Sequence, residues 1–379
     1  MLFENAPNYQ IPLRFLKNLI FYTIFYTDRI SALLNLNTEN GMKAIRVLLL
    51  VLALAGCAVL YKPPPDITPK TVNFKEEIPI FSYKKVPLNK TITPAWNYGS
   101  KTHDVFNLSF DSAMPGESIK AEYWKNKAPG RKKLIIVLPI ADSTRFPGEH
   151  YTNVMTSWNG NTEFNVLLLE DTRKISWLEE LRNSEDEKEF LGWMRIVSIA
   201  IKNYVVDTRR LIDWAETRQE LDSLNIGIIG ASISSNLAAL IMAADSRIKA
   251  GVFDKGGGSF ADLFSYSKQQ ELKESRELVM KKFSWTRQKF DEKIRPILQP
   301  VEAINWAGRI NPQKVLFLNA KYDTWIPKFS IENFWNALGK PERIEHKTEH
   351  KTAFLLSLTP FGGHYADFKI FNHFQKNLQ

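Results

Sequence analysis

The stretch Ile226-Gly227-Ile228-Ile229-Gly230-Ala231-Ser232-Ile233-Ser234-Ser235-Asn236-Leu237 holds three local structures in succession. Ile226 to Ile229 is apolar on both faces, as expected of a parallel strand covered from two sides. Gly230-Ala231-Ser232 is a turn of small residues, and from Asn236 to Ala244 the chain turns rich in Ala and Leu and reads as a helix. Either Ser232 or Ser234 could simply cap that helix by accepting from its free N–H groups.

The same strand signature recurs on both sides of this stretch. Leu134 to Leu138, Phe164 to Leu169, Ile248 to Phe253 and Val315 to Leu318 are short, nearly continuous apolar runs. Helical segments separate them, among them Leu191 to Thr217 with Val205, Ile212 and Trp214 set among polar residues. Strand, helix, strand repetition predicts an α/β domain with a mostly parallel central sheet and helices on both faces. Val105 to Phe110 and Ser118 to Trp124 flank the turn-rich Asp111-Ser112-Ala113-Met114-Pro115-Gly116 and read as a hairpin on an antiparallel edge. The domain is expected to cover 74–379. One segment, about 256–300, breaks the rhythm: it is charged and helical in pattern, and is expected either to cap the mouth of a site or to be a surface excursion.

Three segments carry a resemblance to the α/β-hydrolase superfamily of serine esterase-like enzymes, spanning roughly Asn107 to Leu378. The stretch around Ser232 resembles that superfamily's nucleophile elbow, in which the residues two before and two after the serine are small so that strand and helix can approach. Gly230 meets that demand, and Ser234 stands where Gly is usual. Lys314 to Pro327 is a strand leading into a loop that bears Asp323, with a Pro close behind, like the acid-bearing turn of the family. Phe361-Gly362-Gly363-His364-Tyr365 places a histidine after two glycines and before a final helix with apolar Phe368, Phe371, Phe374 and Leu378.

The order Ser232, Asp323, His364 is the hydrolase order. The resemblance implies an α/β-hydrolase fold with a helical cap insertion, and a serine hydroxyl activated by an imidazole that a carboxylate orients. Asp254, directly after the Ile248 to Phe253 strand, is the reserve acid. The other histidines, His103, His150, His346, His350 and His373, lack the Gly-Gly lead. For the oxyanion hole the resemblance implies the N–H of Ile233 and one from the loop after Leu134 to Leu138. Relatives often carry His-Gly there; this chain has Pro139-Ile140-Ala141-Asp142, leaving Ile140 or Ala141 as donor. The implied activity is hydrolysis of a carboxylic ester or related acyl bond through an acyl-enzyme. The same triad also serves thioesterases, acyltransferases and peptidases. A non-catalytic envelope lipoprotein keeping the fold as a scaffold is the rival, with Ser234 and Pro139-Ile140 as its support. No cofactor and no metal are expected: the sequence has no HExxH or Cys/His cluster, and Gly256-Gly257-Gly258 lacks the form of a phosphate loop and reads as a turn into the cap.

Composition narrows the class further. With 379 residues, 44% hydrophobic and 24% charged, the chain can bury a sizeable core. Its net charge of +9 comes from scattered charges rather than a basic stripe, so no nucleic-acid partner is expected. The single cysteine, Cys57, excludes an intramolecular disulfide. It closes the run MKAIRVLLLVLALAGC, in which Lys43 and Arg46 precede an apolar stretch from Val47 to Ala55 in the layout of an export signal. Leu54-Ala55-Gly56-Cys57 resembles the bacterial lipobox, which implies cleavage before Cys57 and a lipid on its thiol. The alternative, a spanning anchor, would need about 20 apolar residues, and Val47 to Tyr61 offers fifteen. The expected layout is an extension of unknown role (1–41), either upstream of a start at Met42 or holding an amphipathic or interfacial helix over Phe15 to Tyr26, then a signal (42–56) and a Pro-rich linker (57–73). The expected location is the bacterial cell envelope, facing the periplasm or on the outer membrane, a sorting with which Ala58 is compatible. The partners would be a small-molecule or lipid-like acyl substrate and, through the lipid anchor, the membrane.

Overall fold

The computed structural model describes residues 78–85, 88–95, 100–114, 116–140, 147–158, 163–170, 177–357 and 363–379. The export signal, Cys57, the Pro-rich linker and Ala141 lie outside the described residues. Nine strands form one sheet: β1 (Lys90–Pro94), β2 (His103–Asp111), β3 (Ser118–Asn126), β4 (Lys132–Val137), β5 (Phe164–Leu169), β6 (Leu221–Ala231), β7 (Ile248–Asp254), β8 (Val315–Ala320) and β9 (Glu342–His346). Their order is β1-β2-β3-β5-β4-β6-β7-β8-β9. The first three strands are antiparallel and β3 meets β5 antiparallel, while every pairing from β5 to β9 is parallel.

The helices in chain order are α1 (Gly148–Ser157), α2 (Leu178–Asn183), α3 (Glu187–Glu216), α4 (Ile233–Ala244), α5 (Phe260–Tyr266), α6 (Gln270–Lys282), α7 (Arg287–Leu298), α8 (Ala303–Trp306), α9 (Lys328–Ala337), α10 (His350–Ser357) and α11 (Gly363–Asn377). Alternation along the strands divides the core in two. Leu134, Ile136 and Leu138 enter a cluster with residues of α3, α4 and α9, whereas Ile135 and Val137 enter another with residues of α1 and α11. The all-apolar strands of the sequence are thus the ones sandwiched between helical layers. Gly227 marks how tightly α11 lies on β6: a Cβ there would fall 2.6 Å from the Phe374 ring.

Two strands carry no such signature. β1 is mostly exposed, and β9, Glu-Arg-Ile-Glu-His, lies at the other edge with a mixed, polar pattern. The charged segment after β7 folds into α5, α6 and α7, and its two stems are clasped together. Asn236 Oδ1 accepts from the N–H groups of Gly257 and Gly258, the Gly258 carbonyl accepts from Ile304, and Glu302 accepts from Ala261. Gly258 has φ 72° and leaves no room for a side chain against Phe334, so the glycines do form the turn into this insertion. Among the described residues no helix is long and apolar enough to cross a membrane.

Candidate active site

Loops at the carboxyl ends of parallel strands all open on one edge of a sheet, the usual place for a site in such folds. Ser232 follows β6, Asp323 follows β8 and His350 follows β9. Ser232 occupies the single-residue bend between β6 and α4 at φ 55° and ψ −126°, a conformation that L-residues rarely adopt and that the flanking elements must enforce. Its N–H donates to the Asp254 carbonyl at 2.8 Å and its carbonyl accepts from Ser235 at 3.0 Å. Gly230 permits the bend: a Cβ there would lie 2.2 Å from the Ser234 carbonyl oxygen and 2.6 Å from its carbon. Ser234, where the family pattern has Gly, is wholly buried and donates its hydroxyl hydrogen bond to the Pro139 carbonyl. The departure from the pattern is therefore a tie between the bend and the loop after β4.

His350, 1% exposed, opens α10. Its Nε2 lies 3.2 Å from Ser232 Oγ and its Nδ1 2.6 Å from Asp323 Oδ2. Asp323 is held in turn, because its Oδ1 accepts from the N–H groups of Trp325 at 2.8 Å and Ile326 at 2.9 Å. A carboxylate only accepts, so Nδ1 carries the ring proton and Nε2 presents a lone pair to the serine hydroxyl. Trp325 stacks on the imidazole with centroids 4.9 Å apart, and Phe354 meets it edge-on at 5.3 Å.

The structure thus brings together two of the three residues expected from the sequence, and supplies His350 in place of His364. Gly363 and His364 open α11, whose Ile370, Phe371 and Phe374 pack on the Ile135 and Val137 face of the sheet; Gly362 and the side chain of His364 lie outside what is described. Sequence alone does not single out His350, because β9 carries no strand signature that would place it. Once Glu342–His346 is seen as the last parallel strand, the histidine in the chain just beyond it is the one the topology delivers to the edge carrying Ser232 and Asp323.

Asp254, the reserve acid, is engaged elsewhere. Its carboxylate receives the buried Lys255 ammonium at 2.7 and 2.6 Å and accepts the Tyr151 hydroxyl hydrogen bond. Burial first, and then the neighbouring Asp254 charge, push the Tyr151 phenol well above its ordinary pKa. The Lys255 ammonium also lies 4.0 Å from the centroid of Phe354, the ring that meets His350. This pair packs behind the triad without entering it.

Ser232 and His350 line a cavity of about 550 Å³ together with Ile140 and Ile233. The Ile233 N–H is the first of α4, one of the donors that a helix cannot satisfy internally. Phe260, Leu263 and Phe264 of α5 and Leu272 of α6 also line the cavity, so the insertion does overhang the mouth. Among the described residues no cluster of three or more His, Cys, Asp or Glu side chains could hold a metal.

No protein-family model matches the sequence, and no curated protein matches it. Solved structures do resemble it. An acetyl xylan esterase of a Paenibacillus species aligns with 83% of this chain and 97% of its own at 18% identity and TM-score 0.57. Acetyl xylan esterase 1 of a Thermoanaerobacterium species aligns with 74% of this chain and 89% of its own at 17% identity and TM-score 0.53. The acylaminoacyl peptidase of Pyrococcus horikoshii aligns with 73% of this chain and 42% of its own at 11% identity and TM-score 0.51. At such identities the likeness is one of fold, and the fold is that of the α/β-hydrolases.

Proposed function

We propose that this protein is a serine hydrolase that cleaves a carboxylic ester through an acyl-enzyme. The observation that carries the reading is the unbroken hydrogen-bonded chain Ser232–His350–Asp323 at the mouth of an apolar cavity. Ser232 Oγ attacks the ester carbonyl as His350 Nε2 takes its proton, and the Asp323 carboxylate steadies the imidazolium that forms. The N–H groups of Ile233 and Ile140 receive the negative charge on the carbonyl oxygen, where each such donor contributes on the order of 3 kcal/mol. Collapse expels the alcohol, which leaves with the proton from Nε2. Water then gives a proton to His350 and attacks the acyl carbon, releasing the acid and returning the proton to Oγ. Esters are favoured over amides because two of the fold neighbours are named as esterases.

The sequence pattern ending at Cys57 supports a second part of the same proposal: the enzyme is exported and tethered to a bacterial membrane by a lipid on that thiol. The scaffold alternative loses its main support, since Ser234 now has a structural occupation in its bond to Pro139.

The test is labelling with a fluorophosphonate probe, peptide mapping of the adduct, and turnover of p-nitrophenyl acetate. Ser232 should carry the adduct, and Ser232→Ala should abolish both signals. An unlabelled protein, or equal turnover by the variant, rejects the reading. Metabolic labelling with palmitate, lost in Cys57→Ala, tests the tether.

A further inference from the structure

The cavity at Ser232 shares part of its wall with a second space. That second void is small, about 10 Å³, and is bounded among others by Leu181, Phe190, Val279 and Phe290. These four are nearly fully buried. Three side chains border both spaces: Leu178 of α2, Phe264 of α5 and Leu272 of α6. The two spaces are therefore neighbours that share a wall of three apolar side chains. Arg276 also lines the void, buried, its guanidinium held by the carbonyls of Phe264 at 3.0 Å and Ser267 at 3.1 Å, with Nε unpaired.

Which half of an ester lies here follows from where the proton goes. His350 Nε2 must reach the leaving oxygen, so the alcohol departs on the side of His350, where Trp325 and Phe354 pack around the ring and Lys351 lies next along the chain. None of His350, Trp325, Lys351 and Phe354 borders the second void, so the acyl group is assigned the part of the cavity walled by Leu178, Phe264 and Leu272. Resting on the serine-esterase reading above, we infer that the substrate's acyl group is an unbranched aliphatic chain longer than acetyl, seated between α2, α5 and α6, and that Leu178, Phe264 and Leu272 set its maximum length. A cavity of about 550 Å³ lies within the roughly 300–1,000 Å³ usual for ligand sites and far exceeds what an acetyl group fills. The Arg276 guanidinium gives the second void a polar lining that an aliphatic chain does not satisfy, so length selection has an upper bound even when the shared wall is thinned.

The experiment measures kcat/KM for two ester series: p-nitrophenyl esters from acetate to dodecanoate, and acetate esters of alcohols over the same range. In the first series kcat/KM should rise by about fourfold for each methylene taken into the cavity, reach a maximum, and then fall. The second series should stay nearly flat. Leu272→Ala and Phe264→Ala should each move the maximum to an acyl chain about two carbons longer, and Leu178→Phe should move it shorter. Two truncations are used so that a fold defect in one leaves the other to decide. A maximum unmoved in both truncated proteins, or selection by alcohol length in place of acyl length, overturns the inference. Fluorophosphonate labelling separates the two levels: Ser232 labelled with an unmoved maximum refutes the acyl-chain assignment alone, whereas Ser232 unlabelled and no ester hydrolysed refutes the enzyme reading beneath it.

Discussion

Replacing Asp323 by Asn tests the triad at its least obvious member, and the structure fixes what the amide must do. Asp323 Oδ1 is held by two backbone N–H groups, at 2.8 and 2.9 Å, while Oδ2 faces His350 Nδ1 at 2.6 Å. An Asn side chain keeps the two backbone bonds only by placing its oxygen at Oδ1, which turns its NH₂ toward Nδ1. The reverse orientation would set NH₂ against two N–H donors and lose two hydrogen bonds, about 2–3 kcal/mol. With a donor facing Nδ1, the imidazole moves its proton to Nε2, which then points a hydrogen at Ser232 Oγ and cannot accept one. Nucleophile activation is lost while the geometry survives. The expected fall in kcat is on the order of 10⁴-fold, equivalent to about 5 kcal/mol of activation free energy. KM should hold, because Asp323 is not among the residues that line the cavity at Ser232. Steady-state kinetics on p-nitrophenyl esters, with a melting curve to show an intact fold, make the comparison. A fall of less than about tenfold, or one carried by KM, would refute the reasoning.

Four further outcomes are expected. His350→Ala should lose kcat by on the order of 10⁴-fold or more while His364→Ala stays within about threefold of the parent, and the opposite ranking would restore the histidine favoured by the sequence alone. Gly230→Ala drives a Cβ to 2.2 Å from a backbone oxygen that cannot retreat without opening the bend; a cost of about 3 kcal/mol or more in chemical denaturation should accompany loss of fluorophosphonate labelling. Asp254→Asn removes the counter-charge of buried Lys255 and should cost about 3–5 kcal/mol of stability, so that a variant of undiminished melting temperature but absent turnover would return Asp254 to the triad. Burial, and for His346 the nearby Lys255 charge, lower the pKa values of His346 and His373 from 6.5 to about 4. The unfolded chain binds those protons first, so stability is full above pH 6.5 and should fall, by up to about 3 kcal/mol for each, as pH drops toward 4. His150, whose pKa burial lowers but the Asp367 carboxylate raises by more, works in the opposite sense, and urea midpoints unchanged between pH 7 and 4.5 would contradict the net expectation.

The inner strands of the sheet and the bend that carries Ser232 are legible in the sequence alone. Five apolar runs became β4 to β8 because a strand covered on both faces has no polar position to spare. Gly230-Ala231-Ser232 specified the bend because the close approach of strand and helix is a purely local demand, and Asp323 was legible because its loop follows directly from an apolar strand. The charged segment after β7 could be recognised as an interruption, but its overhang of Ser232 through Phe264 and Leu272 is a matter of packing. The histidine was decided by tertiary structure alone. β9 sits at the sheet edge and has no need of an all-apolar sequence, so Glu342–His346 gave no strand signal, and without that strand nothing local told His350 from His364. What selects His350 is the parallel pairing of β9 on β8, which sets the chain after both strands on the same edge as Ser232. Hydrogen-bonded reach between residues 118 positions apart follows from topology, and no short window of sequence contains it.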